Sequence, residues 1–328
     1  MEENYRDLCQ VFTPNENVKE LLDWCDYKDD LYGKKIIENS CGDGSILKEV
    51  VKRYIENCLK KGISKSKIEK GLSEDIYAIE YDEPQYKKCI KNLDRIVKEY
   101  QLKKVMWKNI KNEDALSNLF EEKFDYVVGN PPYIKYKALS LGDREYIRKN
   151  FETCKKGKFD YCYAFIESSI KSLKNNGKMA YLIPSSIFKN VFANDLRKFI
   201  KPHITKIYDY TIMQLFDKST NDKGTDRLVS SVIMIIEKNS NNNNIEYIDV
   251  NKKETITIQK DKLEDKWVFR NKISNNKNKK RFGDYFYASN TIATLCNNAY
   301  VIKEYTQDRK YIYPKTGGMI EKKVTKDT

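Results

Sequence analysis

The stretch DYVVGNPPYIKY (residues 125–136) decides how the rest of the chain is read. Tyr126, Val127 and Val128 form a run of strand-forming residues that stops at Gly129 and gives way at once to Asn, Pro, Pro and Tyr. Asn130 offers a side-chain carbonyl. Pro131 lacks an N–H but keeps a backbone carbonyl, and Pro132 restricts Pro131 to an extended conformation. Two acceptors held close together on a stiff turn can grip both hydrogens of an amino group, with the flat face of Tyr133 beside them. A conjugated nitrogen has its lone pair tied into a π-system, so drawing its N–H bonds toward fixed acceptors helps it pyramidalise and face an electrophile. Positioning of this kind contributes roughly 7 to 11 kcal/mol, to which prearranged dipoles add. Asn-Pro by itself is an ordinary turn initiator. Its place at the end of a strand is what argues for chemistry.

Outward from this stretch, strands and helices alternate. Val18, Leu21 and Leu22 recur at helical spacing after a Thr-Pro start. A short strand at 35–38 runs into NSCGDGS, and a helix follows from Ile46 to Leu59. Residues 60–73 read as a polar, lysine-rich insertion. A second strand, DIYAIEYD (75–82), precedes a helix starting near Pro84, and a third over 104–107 precedes NEDAL (112–116). After the opening stretch the pattern predicts a helix over 161–174, a turn at Gly177, a strand over 178–184, a helix over 193–200 and strands at 204–210 and 228–237. Such alternation predicts an α/β fold, a parallel sheet with helices on both faces. KNSNNNN (238–244) is a low-complexity break, which divides the chain into an expected domain over 1–240 and a second region over 241–328.

A chain of 328 residues holds one sizeable α/β domain and part of another. Its 61 Lys and Arg against 48 Asp and Glu give +13, which favours a polyanionic partner. From Arg270 onward there are 13 basic and 5 acidic residues, so the excess is concentrated toward the carboxyl end. Eight cysteines without a C-x-x-C pair, and one histidine (His203), argue against a mixed-ligand zinc site and against a His-dependent hydrolase. No metal is expected. The polar start MEENYRDLCQ and the absence of a membrane-length apolar run lead to the expectation of a soluble, cytoplasmic protein without a membrane partner.

Three successive strand ends each close with a plausible adenosine contact. Gly42 and Gly44 lie in the first strand-to-helix turn, where glycine lets the backbone pass close to a ligand. Glu80 ends the second strand, 36 residues after Gly44, the usual place of an acid that binds ribose hydroxyls. Asp114 follows the third and could accept from an adenine amine. A P-loop is absent, and Leu47 stands where a dinucleotide fingerprint needs its third glycine.

These segments, in this order, resemble a known family: the gamma-class DNA N6-adenine methyltransferases of restriction-modification systems. FTP (12–14), ENSCGDG (38–44), IEYD (79–82), NEDAL (112–116), NPPY (130–133) and GKMAYLIPSSIF (177–188) carry the resemblance. It implies a doubly wound, mostly parallel seven-stranded methyltransferase sheet, bacterial cytoplasmic location, S-adenosyl-L-methionine as cofactor and double-stranded DNA as partner. It also implies roles. Thr13, Glu38, Cys41, Gly42, Gly44, Glu80 and Asp114 would line the cofactor. Asn130 and Pro131, held by Pro132, would grip the target amine, and Tyr133 would stack on an adenine flipped out of the duplex. Phe216, in MQLFDKS, would close the other face of the base. Asn39 stands where the family commonly has proline.

RFGDYFYASNTIATLCNNAYVI (281–302) resembles the opening of the family's target-recognition domain. The expectation is therefore a catalytic fragment, or a subunit that works with a separate recognition polypeptide. The rivals are a protein glutamine N5-methyltransferase or an RNA adenine methyltransferase sharing NPPY, and a non-catalytic nucleic-acid-binding module on the same fold. The insertion at 60–73 and the loop over 134–158 are expected to flank the nucleic-acid cleft.

Overall fold

The computed structural model of the protein describes residues 15–210 and 231–269, together with the backbone of three short strands beyond them. The chain forms two compact units, Met1–Asn271 and Lys272–Thr328. In the second, β10 (Tyr305–Gln307), β11 (Tyr311–Pro314) and β12 (Val324–Thr325) pair as a small antiparallel sheet. Thr13, Phe216 and the segment 281–302 lie outside the described residues.

The first unit is built on one sheet. In chain order its elements are α1 (Asn15–Trp24), β1 (Ile36–Glu38), α2 (Ser45–Lys60), α3 (Lys65–Asp75), β2 (Ile76–Glu80), α4 (Glu83–Glu99), β3 (Ile110–Asn112) and β4 (Phe124–Gly129). Then come α5 (Leu141–Asn150), α6 (Cys162–Ser172), β5 (Leu173–Pro184), α7 (Asn194–Ile200), β6 (Ile204–Asp209), β7 (Ser231–Glu237), β8 (Asn244–Asp249) and β9 (Glu254–Gln259). The sheet order is β3-β2-β1-β4-β5-β7-β6-β8-β9. β3, β2, β1, β4 and β5 run parallel, while β7 lies antiparallel between β5 and β6.

Side chains along each strand alternate between two cores. Ile37, Tyr77, Ile79, Val127 and Tyr181 point to the face covered by α6 and α7. Ile36, Ile76, Ala78, Val128 and Leu182 point to the face covered by α1 to α4. This two-sided burial is why the strands read as continuous apolar runs. The doubly wound α/β expectation therefore holds, with nine strands among the described residues in place of seven.

Four local expectations are corrected. The third strand lies at 110–112 and not at 104–107, because its pairing is set by the register Ala78↔Ile110 with β2. The insertion at 60–73 contains α3, whose Ile68 and Leu72 are fully buried. It sits at the amino ends of the strands, where Asp75 accepts hydrogen bonds from Gly33 N–H at 2.8 Å and Tyr54 O–H at 2.6 Å. It therefore does not flank the NPPY turn. The loop over 134–158 carries α5. Finally, 238–244 is a short loop inside the sheet and does not end it: β8 pairs parallel with β6 and β9 extends the sheet, so the first unit runs past 240 to Asn271.

Candidate active site

The strand order reverses between β1 and β4, the topological switch point at which open α/β sheets bind ligands beyond their carboxyl ends. Both informative turns leave the sheet there. In the register Ile37↔Val127, the glycine turn after β1 stands beside the NPPY turn after β4. Ser40 Oγ donates to the Asn130 carbonyl at 3.3 Å and ties them together.

The glycine turn is built from backbone strain and one carboxylate. Gly42 and Gly44 have φ of +52° and +81°, values that favour glycine. A Cβ on Gly44, which caps α2, would lie 2.7 Å from Cys89 Sγ. Glu80 stands across from the turn at the end of β2 and accepts from Gly42 N–H at 2.7 Å and Asp82 N–H at 2.8 Å. Those bonds pull its pKa down, but burial outweighs them and raises it. Its carboxylate keeps acceptor capacity for ribose hydroxyls. Asp82 caps α4 by accepting from Gln85 N–H at 3.2 Å.

Glu38 is 3 % exposed at the end of β1, and its Oε2 has no hydrogen-bond partner. Burial pushes its pKa well above the usual carboxylate range, with Cys89, Glu80 and Asp43 adding to the rise and the Leu47 N–H opposing it. An unpartnered buried carboxylate oxygen beside a glycine turn fits a cationic, hydrogen-bonding ligand. The turn, Glu38 and Glu80 together fit an adenosyl cofactor that carries an amino acid tail. Asp114 accepts from Leu116 N–H at 2.9 Å, beyond the end of β3. The Cys41 thiol is buried, 4.0 Å from Cys89 Sγ and 3.9 Å from the Gly42 carbonyl.

At the second turn Pro131 is buried, and Asn130, Pro132 and Tyr133 are half-buried. The Tyr133 hydroxyl lies 2.5 Å from both Asn130 Oδ1 and the Leu182 carbonyl. One phenolic proton serves one acceptor at a time, so Asn130 shares that proton with β5. Burial raises the Tyr133 pKa well above the phenol range and keeps the proton in place.

Beneath the turn runs a polar network invisible in the sequence. Tyr181 O–H lies 2.5 Å from Asn39 Oδ1 and 2.6 Å from Ser169 Oγ, and Asn39 Nδ2 donates to Ser169 Oγ at 3.0 Å. The Tyr181 ring also passes under Gly129, where an added Cβ would approach to 3.2 Å. Asn39 is thus the link between the glycine turn, α6 and β5. Lys135 closes the far side with a 2.7 Å ion pair to Asp160, and Tyr161 N–H donates to the Ile134 carbonyl at 2.9 Å. Only the register of β1 against β4 could have pointed to Ser40. Among the described residues no cluster of His, Cys, Asp and Glu could hold a metal, and no helix is long and apolar enough to cross a membrane.

Sheet order, glycine turn and strand-end acids define a class I S-adenosylmethionine-dependent methyltransferase fold. A Listeria monocytogenes structure assigned to that class superposes with a TM-score of 0.50 at 20% identity over 70% of this chain and 62% of the other. The type IIG restriction endonuclease BpuSI superposes at 0.56 with 15% identity over 77% and 31%. The chain belongs to the Eco57I restriction-modification methylase family, whose profile matches residues 30–216. It is 24% identical to the type II restriction enzyme and methyltransferase RM.Eco57I of Escherichia coli over 99% of this chain and 39% of that protein. Against the modification methylase CviBIII of Paramecium bursaria Chlorella virus NC1A it is 30% identical over 68% of this chain and 48% of the relative. The chain thus spans less than half the length of these curated relatives.

Proposed function

We propose that this protein transfers the methyl group of S-adenosyl-L-methionine to the N6 amine of an adenine flipped out of double-stranded DNA, as the modification component of a restriction-modification system. The observation that carries this reading is the hydrogen-bonded junction of the NPPY turn and the glycine turn at the sheet's switch point. Membership of the restriction-modification methylase family supports DNA as the substrate. S-adenosylmethionine, when bound, supplies a methyl group on a positively charged sulfur. Glu38 would face its cationic amino acid end, Glu80 its ribose hydroxyls and Asp114 its adenine, with Thr13, Cys41, Gly42 and Gly44 lining the remainder.

Asn130 Oδ1 and the Pro131 carbonyl would accept the two hydrogens of the target amine, and Pro132 keeps Pro131 extended. As the amine arrives, the Tyr133 O–H would direct its hydrogen bond to the Leu182 carbonyl alone, leaving Asn130 Oδ1 to the amine without stranding a buried hydroxyl. The Tyr133 ring would stack on the base and Phe216 would cover its second face, each face worth about 1 to 3 kcal/mol. After transfer the methylated nitrogen carries a positive charge and loses its extra proton to water, so no strong base is needed. The region over 241–328 is read as the sheet's last strands followed by the start of a target-recognition domain, completed elsewhere in a longer chain or by a separate recognition polypeptide. Its basic excess suits that role.

The test is labelled methyl transfer to genomic DNA, RNA and release-factor protein in parallel. Label recovered as N6-methyladenine in DNA is expected. Asn130→Ala should lower transfer at least a hundredfold while cofactor binding persists, the loss typical of removing an aligned polar group at the reacting atom. Label in RNA or protein alone would overturn the reading.

A further inference from the structure

Two loops beside the NPPY turn have no role in the reading proposed above. One runs from Pro184, at the carboxyl end of β5, to α7, and ends in Val191 and Phe192. The other, 155–158, precedes the Asp160 and Tyr161 backbone that pairs with Lys135 and Ile134 just past the turn. Val191 is 66% exposed and Phe192 42%, two adjacent large apolar side chains facing solvent.

The apolar tip is held rigidly. Arg197, 2% exposed, donates from beneath to the carbonyls of Ile187 and Asn190, each at 2.7 Å, and to that of Asp265 at 2.6 Å. Trp267 N–H donates to the Phe188 carbonyl at 2.8 Å. Asn190 Oδ1 caps the tip by accepting from Phe192 N–H at 3.0 Å. Desolvating an arginine and six atoms of backbone to fix a loop whose end is left in water is a costly arrangement for a surface with no partner.

The second loop supplies the surroundings. The Phe192 ring lies against Gly157, where a Cβ would come within 2.4 Å of Cδ1, and Gly157 has φ +71°. Arg148 pins this loop by donating to the Gly157 carbonyl at 3.1 Å. Lys155, Lys156, Lys158 and Lys189 are all exposed, and none makes an ion pair among the described residues. Asp195, in the first turn of α7, is the one acid within 155–158 and 189–195.

We propose that Val191 and Phe192 form a wedge that enters the base stack of double-stranded DNA beside the extruded adenine, with the four lysines on the flanking phosphates. This rests on the reading of the substrate as duplex DNA. Apolar side chains inserted at a base step offset the loss of stacking, and lysines around them anchor the backbone. Charge complementarity selects a polyanion, and a polyanion with apolar layers in its interior is a nucleic acid duplex. Gly157 is required because any side chain there would push Phe192 off its seat.

A wedge leaves a signature that a merely structural residue does not. The sites marked by the wild-type enzyme on genomic DNA are mapped first. Transfer is then measured on a duplex carrying one such site and on the same duplex with an abasic position opposite the target adenine. Phe192→Ala and Val191→Ala should each lower transfer on the matched duplex roughly ten- to hundredfold, the scale of one unstacked step. On the abasic duplex, where little pairing remains to be broken, transfer should return to within about threefold of wild type. Gly157→Val should behave like Phe192→Ala. Cofactor binding, read by calorimetry, should be unchanged in all three and confirms that they fold.

Equal losses on both duplexes would overturn the wedge and point to a protein partner or a packing role for the tip. Undiminished transfer on the matched duplex would overturn it as well. If the wild type binds cofactor yet marks no DNA, the substrate reading itself falls, a result distinct from either.

Discussion

Burying Glu38 with one oxygen unpartnered costs the unliganded protein stability, and the sign of that cost fixes a pH dependence. Its pKa is raised in the folded state. Below about pH 4, folded and unfolded chains both carry the proton. As pH rises through the ordinary carboxylate range the unfolded chain ionises while the folded one holds its proton, so stability falls until the raised folded pKa is passed. Glu38→Gln should therefore melt higher than wild type at pH 8, with the gap closing as pH falls toward 4, in thermal melts across that range. The same substitution should weaken S-adenosylmethionine binding about ten- to hundredfold by calorimetry, since a charge-assisted hydrogen bond is lost. A variant that melts lower at pH 8, or binds as wild type does, would remove Glu38 from the cofactor site. Sequence position marked Glu80 at a strand end and Asp114 just past one, where such a sheet places its ligands, while Glu38 entered only through the family resemblance. Sequence position could not mark Asn39, Ser169 and Tyr181, which are far apart in the chain and meet only through the pairing of β4 with β5 and the packing of α6.

At the scale of elements, the β1–α2 turn combines a left-handed glycine with a close approach, and the two effects can be separated. Gly44→Ala should destabilise the protein by about 1 to 2 kcal/mol for the left-handed backbone alone. Its added Cβ would also meet Cys89 Sγ at 2.7 Å. Combining it with Cys89→Ala removes the contact but not the backbone strain. The double variant should thus lose less stability in urea than the two single losses added, by about 0.5 to 3 kcal/mol. Strict additivity would mean that the turn shifts freely. The same scale shows why some elements could be read and others could not. β4 and β5 are apolar runs buried on both faces, so composition reveals them. Residues 104–107 have strand propensity, yet Met106 is 70% exposed and Trp107 Nε1 donates to Asp94 of α4 at 2.9 Å. Pairing with β2 outranked propensity there. In α3, lysines masked an apolar face that only Ile68 and Leu72 supply. The asparagine run at 238–244 read as a linker or a long loop, and it is a loop between two strands of the sheet, opening on a left-handed residue that asparagine tolerates, with Asn239 at φ +59°.

At the scale of the whole molecule, a charge of +13 predicts salt-dependent binding. Neutralising Lys137 and Lys155, both exposed, should each make the slope of log affinity against log salt shallower by about 1, measured by fluorescence anisotropy on a DNA duplex. An unchanged slope would move the DNA away from this rim. Lys135 is unsuited to this test because its loss would strand the buried Asp160 carboxylate. The placement of β7 has a different consequence, one for synthesis. Met179 to Ile183 of β5 are wholly buried, and the edge of β5 facing away from β4 is covered by a strand that leaves the ribosome some fifty residues later. Until residue 237 has emerged, the nascent chain carries an apolar strand with an open row of backbone donors and acceptors, the template on which sheets aggregate. A chain truncated at 225 should accumulate as inclusion bodies while one ending at 269 stays soluble, as fractionated lysates would report. A catalytic half cut short of its last antiparallel strands would then be a hazard to the cell that makes it, however complete its motifs.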